Sequence, residues 1–326
     1  AADIGQRSAI SQQAADTRVR LRGLRVEDRL ERALVFTGPV RLSDVEFIHD
    51  VVLDDSIFER SLEFLNCRFL QRLSGRDVTV KGALRLDGSR IDGAVELGAS
   101  KGSKRQPPVL DLRGLVVDRS LFADRLTTFG RVRGDWIRIG GTVRARGLQL
   151  HPRNEVLDGR SALDLSHARI NGPLDLAGHV AKAREPGGRQ RTVFGGDAKL
   201  VGLTCEQADL DGIDVRGSLD LSSCRVGGGL RVGVALVDRG ADIWWRARIG
   251  AFFSLYRSQV GRVEMSGCRT DGTFHGIDLQ LSGSLFADLA GRFRTRIGGD
   301  FNISGGDIKG DLELDGAQIV GRFVFV

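Results

Sequence analysis

The sequence predicts an all-β chain: a right-handed parallel β-solenoid of square section, about 22 residues to the coil, behind a short N-terminal, partly helical cap. Three observations carry this reading. Apolar residues recur every eleven positions from about residue 40 to the last residue. Glycine supplies 44 of 326 residues, against a usual share of about 7%. Within each unit the apolar positions alternate as strands do.

The repeat is clearest near the end of the chain. Ile297, Ile308 and Ile319 are eleven apart, as are Gly299, Gly310 and Gly321, and Phe301, Leu312 and Phe323. The same I-x-G-x-L-x-L frame runs through Val80, Gly82, Leu84 and Leu86, and again through Ile170, Gly172, Leu174 and Leu176. An eleven-residue period also suits a helical coil, but one or two glycines per unit would cost a helix about 1 kcal/mol each relative to alanine. Apolar residues at the first, fifth and seventh places, with a small residue at the tenth, describe two short extended sides separated by bends. Two units then close one four-sided coil, each side stacking on its equivalent about 4.8 Å away. The narrow tenth place holds Ser56, Cys67, Ser89, Cys224, Ala235, Cys268 and Ala317, so three of the four cysteines read as small buried fillers. Cys205 lies one place off its unit's anchor, Thr204, and stays unexplained.

In this spacing, and locally in Ala208-Asp209-Leu210, Ala241-Asp242-Ile243 and Ala287-Asp288-Leu289, the chain resembles the pentapeptide-repeat family. The resemblance covers roughly residues 40 to 326. It implies a right-handed square β-helix with a small residue two places before a Leu or Phe. Some members of that family resemble the DNA duplex and bind topoisomerases through a strongly acidic surface. The net charge of +6 argues against such mimicry here.

Residues 1–39 read as a cap, with helical texture over Ala9 to Ala15 and Arg25 to Leu34. The solenoid, 40–326, is interrupted at 98–109, 151–162 and 177–199. Lys101, Lys104 and Arg105 fall in the first interruption and Lys182, Arg184, Arg189 and Arg191 in the third. Counting units sends these two from the same wall, where they would present cations to a phosphate or uronate polymer. Between 240 and 260 the frame slips, and Arg248 and then Gln259 take the anchor place. Trp244, Trp245, Phe253 and Tyr256 then fall on outward positions, as in a binding hot spot, unless the chain repacks locally around a bulge. Phe323, Val324, Phe325 and Val326 end the sequence without a polar cap. They are expected to pair two chains end to end as a homodimer, or to belong to a longer chain.

Little points to catalysis. His49, His151, His167, His179 and His275 are scattered, with no nucleophile or carboxylate at motif spacing, and the aspartates recur at turns. No cofactor and no metal site are expected, since the cysteines lack metal-ligand spacing. No run of about 18 apolar residues marks a transmembrane segment. The expected function is a non-enzymatic scaffold presenting a binding surface for a protein or an anionic polymer. The alternatives are a polysaccharide-binding or polysaccharide-cleaving β-helix enzyme and, by the family resemblance, a topoisomerase- or DNA-associated modulator. Unpaired thiols fit the cytoplasm and the Ala1-Ala2-Asp3 start fits export after signal-peptide removal, so the compartment stays open.

Overall fold

The structure, a computed structural model, describes Val19–Arg22, Arg25–Val26 and residues 35–97, 110–128, 130–150, 161–178, 190–238 and 243–326. Among these residues every regular element is a strand, most of them two residues long. Strands this short follow from the sequence, because bends interrupt each unit before a third inward residue can be placed.

The strands stack into four walls. Wall one is a thirteen-stranded parallel sheet that runs in chain order from Val19–Arg22 to Phe323–Val324. Its register steps from Val40 to Leu62 to Leu84, 22 residues per coil, and then through Leu110 to Val132. Walls two and three form one 21-stranded sheet, because Arg225–Arg231 and Gln259–Glu264 continue through the corner between them. Wall four is two sheets of three and eight strands. Ile297 and Ile319 stack on wall four, Phe301 on wall one, Ile308 on wall two and Leu312 on wall three. Each eleven-residue unit therefore spells two walls, and Ile308 and Ile319 pack against one interior from opposite sides.

Like residues stack on like. Phe253, Phe274, Phe301 and Phe323 form a column inside wall one with ring centroids 5.2, 4.7 and 5.6 Å apart. Glycine recurs where successive coils come closest: a Cβ on Gly250 would run into the carbonyl oxygen of Arg216 in the preceding coil. At the last coil Phe323, Phe325 and Val326 are exposed and Val324 is half-buried.

The stack begins upstream of residue 40. Val19–Arg22 pairs with Val40–Ser43, and Arg25–Val26 pairs with Glu46–Phe47. The expected helix over Arg25 to Leu34 therefore gives way to a strand at its start. The edge of the next coil offers these amides partners, and that pairing overrides local helical texture. Ala9 to Ala15 lies outside the described residues.

Two details of the frame are corrected. Cys205, in register with Val226, is the buried wall-two anchor, and Thr204 is exposed. Likewise Ile249 and Val260, not Arg248 and Gln259, point inward. The surplus residue near 240 is absorbed by an antiparallel hairpin, Val234–Asp238 with Ile243–Arg246, rather than by a bulge. Ala235 lies in that hairpin opposite Trp245, so it is not a core filler. From Leu176 onward, insertions at the corner from wall three to wall four occupy alternate coils. They follow Leu176, Val232 and Ala287, whereas after Leu210, Met265 and Leu314 the chain crosses directly.

At the narrow corners Ser56, Cys67, Ser89, Cys224 and Cys268 are buried. The Cys67 N–H donates to Ser89 Oγ (3.1 Å), whose hydroxyl donates to Phe64 O (3.1 Å). Burial pushes the thiols up, Cys205 and Cys268 to about 12 and Cys224 to about 11, and Cys67 in the same direction. A disulfide-exchange reagent at pH 8 is accordingly expected to modify none of the four thiols of the folded protein and all four in denaturant. Rapid uptake of one equivalent by the folded chain would contradict this packing.

Candidate functional site

The corner from wall one to wall two is built the same way in each coil whose corner is described, from Asp44 to Gly305. The fourth residue after each wall-one anchor adopts the left-handed conformation: Asp44, Asn66, Gly88, Gly114, Trp136, His167, Gly202, Ser223, Arg257, Asp278 and Gly305. That backbone suits Gly, Asn and Asp, and disfavours bulky side chains by about 1 kcal/mol or more. Trp136 (φ 63°) and His167 (φ 59°) break the pattern on consecutive coils. Trp136 is 59% exposed, so burial does not offset its backbone conformation. Its indole stacks on the His167 imidazole at 4.4 Å and 25°. The imidazole lies over Gly202, where a Cβ would meet Nδ1 at 2.6 Å.

Both flanking walls are charged. On wall one the outward residues alternate in sign along the register, Arg85, Asp111, Arg133, Asp164, Lys199 and Asp220. Opposite charges on neighbouring strands contribute about 0.2–1 kcal/mol per pair. Arg113 clamps Asp111 through Nε (2.8 Å) and Nη2 (2.7 Å). Burial opposes ionisation of Asp111, yet the guanidinium holds its carboxyl below the usual range. A shallow groove of about 540 Å³ runs over wall one and its corner, with Arg113, Arg131, Arg133, Trp136, His167 and Lys199 along it and the carboxylates Asp135 and Asp164 in the same lining.

Wall two differs. Arg68 and Arg90 sit in register, and Asp92 and Asp118, each one place after a wall-two anchor, neutralise them. Arg138 and Arg169 are also in register and exposed, but the column of Asp92 and Asp118 continues as Gly140 and Asn171. Among the described residues no ion pair reaches Arg138 or Arg169. Trp136 and His167 therefore project between two walls that both carry cations beside them.

Of the residues expected from the sequence, most of the described ones lie elsewhere. Lys101, Lys104, Arg105, Lys182, Arg184 and Arg189 fall outside the described residues. Both of their segments leave the chain after wall three. Arg191 is a structural pin and not an offered cation. Its Nε donates to Gly212 O (2.8 Å) and its Nη2 to Ile213 O (3.0 Å) and to Arg246 O. Burial lowers its pKa, with Asp214 opposing. Arg246 in turn donates to Cys268 O (3.1 Å) and Arg294 O, so two arginines tie the insertions at this corner together.

Phe253 is fully buried in the wall-one column, so the expectation that it faces outward is corrected: it occupies the anchor place once the hairpin absorbs the slip. Trp245 is half-buried, its ring against Gly178 and its backbone against Gly212, and Trp244 falls on the hairpin's other face. Tyr256 is half-buried under the Arg257 guanidinium, 4.9 Å from its ring. It lies on the same edge as Trp136, while Trp244, Trp245 and Arg191 lie at the diagonally opposite corner. The expected aromatic set is therefore not one patch.

Trp136 and His167 were missed by the sequence reading. The signal was present: Trp136 stands four places after Val132, in a column that otherwise favours Gly, Asp and Asn. Insertions on either side of His167 shift the register and hide the column.

Wall three carries a second titratable cluster. Asp175 and Asp209 are in register, and Asp209 pairs in turn with Arg231. Asp211 is buried, accepts the Gly233 N–H (2.8 Å) and is paired with Arg231. Burial, then the neighbouring Asp209, push it up to about 6, against the pull of Arg231. These bonds lock Asp211 at the base of the 234–246 hairpin.

Comparison of the chain with protein-family models, with curated proteins and with solved structures gave no match.

Proposed function

We propose that the protein is a non-enzymatic β-solenoid scaffold that binds an anionic polymer along the edge between walls one and two. One observation carries the reading: Arg138 and Arg169 face each other on adjacent strands without a carboxylate, on a wall whose earlier arginines are neutralised. Like charges opposed in register are destabilising, and a bound anion would relieve them. Arg133 and Lys199 supply further cations across the corner. Coils repeat at about 4.8 Å, a spacing of the same order as that of charges along a phosphodiester or uronate chain.

The test is the salt dependence of binding to polyphosphate and to polygalacturonate. Four cations give a slope of about −3 in log K against log salt. Replacing Arg133, Arg138, Arg169 and Lys199 together by Gln should flatten that slope and remove most of the affinity. An unchanged slope would overturn the assignment of the edge. Arg138→Gln with Arg169→Gln should leave the fold as stable as before or raise its stability by a few tenths of a kcal/mol, since a repulsive pair is removed.

A further inference from the structure

We infer that the polymer recognised at this edge is a single-stranded nucleic acid, with unpaired bases stacking on the free face of Trp136. The inference rests on the anionic-polymer reading and deepens it. One face of the indole is covered by His167, which itself rests over Gly202. Among the described residues no other ring and no guanidinium lies over the indole.

Upstream of Trp136 the next two corner residues are Gly114 and Gly88. A Cβ on Gly114 would meet nothing nearer than Gly88 Cα at 3.9 Å. The Asn66 side-chain oxygen lies over Gly88 and closes the far end. Over these two coil steps, about 10 Å, the corner position carries no side chain beside the indole. Flat rings spaced by roughly 3.4 Å fit that length as a continuation of the Trp136–His167 stack.

The cations beside the platform favour phosphate over a sugar's hydroxyls. Arg133 and Lys199 border the groove, with Asp135 and Asp164 in the same lining, and the unpaired Arg138 and Arg169 on the other wall give this edge its surplus of positive charge. Cations that track a backbone beside an aromatic platform are the arrangement that holds single strands without sequence preference. The platform also explains a tryptophan kept exposed in a backbone conformation that disfavours it.

The experiment compares an oligodeoxythymidylate, its duplex with oligodeoxyadenylate, an abasic strand of the same length, polyphosphate and polygalacturonate, against the full chain and Trp136→Ala. The base-bearing strand should bind about tenfold more tightly than the abasic one, and more tightly than the duplex, while quenching the fluorescence of the exposed Trp136. Trp136→Ala should remove the tenfold preference and the quenching while leaving the abasic strand's affinity within about twofold. Trp136→Gly, which restores the residue type of the neighbouring corners, should behave alike and guards against a folding artefact.

Equal affinity of the full chain for base-bearing and abasic strands, a duplex bound as tightly as the single strand, or a preference for polygalacturonate would overturn the inference and leave the anionic-polymer reading standing. Binding of none of these polymers would overturn both.

Discussion

Phe274→Ala is expected to destabilise the protein by about 3–5 kcal/mol and to melt the C-terminal coils before the rest. Phe274 is fully buried between Phe253 and Phe301, at 5.2 and 4.7 Å between ring centroids. Its removal opens a cavity that the coils above and below cannot close, because their spacing is fixed by backbone hydrogen bonds such as Phe274 N–H to Asp300 O (2.9 Å). A solenoid couples each coil only to its neighbours, so the loss should stay local. Hydrogen exchange is the measurement. Wall-one amides from Phe253 to Phe323 should lose protection, while those from Val40 to Val132 keep it. Protection lost evenly along the chain, or a cost under about 1 kcal/mol, would contradict this account.

The protein is expected to become more stable as pH falls from 7.5 to 5. The carboxyl of Asp211, pushed up to about 6 by burial and by Asp209, binds its proton more readily in the folded chain than in the unfolded one. Its contribution is fully present below the unfolded value near 3.9 and is lost as pH rises through 6. That difference amounts to about 3 kcal/mol in all, roughly half of it recovered between pH 7.5 and 5. Asp175, also raised by burial, acts in the same direction. Asp92, Asp111 and Asp300 are held low by arginines, so the stability they supply is lost only at more acid pH, as it falls through their lowered values. Urea midpoints at the two pH values provide the check. In Asp211→Asn, which keeps an acceptor for the Gly233 N–H, the pH dependence should be markedly flatter. A wild-type chain less stable at pH 5, or an unchanged slope in the variant, would refute the assignment.

The walls were legible because the interior of a coil admits few side chains. Ile297, Ile308 and Ile319 repeat since each must fill the same column, and the glycines repeat because coils approach too closely for a Cβ. What escaped was register across the insertions. One surplus residue near 240 reads equally as a bulge or as part of a longer excursion. Only the pairing of Ala235 with Trp245 decides for a hairpin, and with it the inward placement of Phe253. The same ambiguity made Thr204 look like an anchor in place of Cys205. Trp136 escaped for a different reason: attention to anchors and inserted loops passes over corners, yet a corner is where a regular solenoid has room to display a ring.

The insertions on alternate coils imply a limit on how this protein can be elaborated. A two-stranded hairpin spans about 10 Å of edge, twice the rise of one coil, so neighbouring coils have no room to sprout one each. Decoration is thereby rationed by the pitch of the stack, and from Leu176 onward it gathers along the ridge diagonally across from the Trp136 edge. A fluorophore or affinity handle grafted between Asp238 and Ile243 should ride on that ridge without shadowing the opposite side.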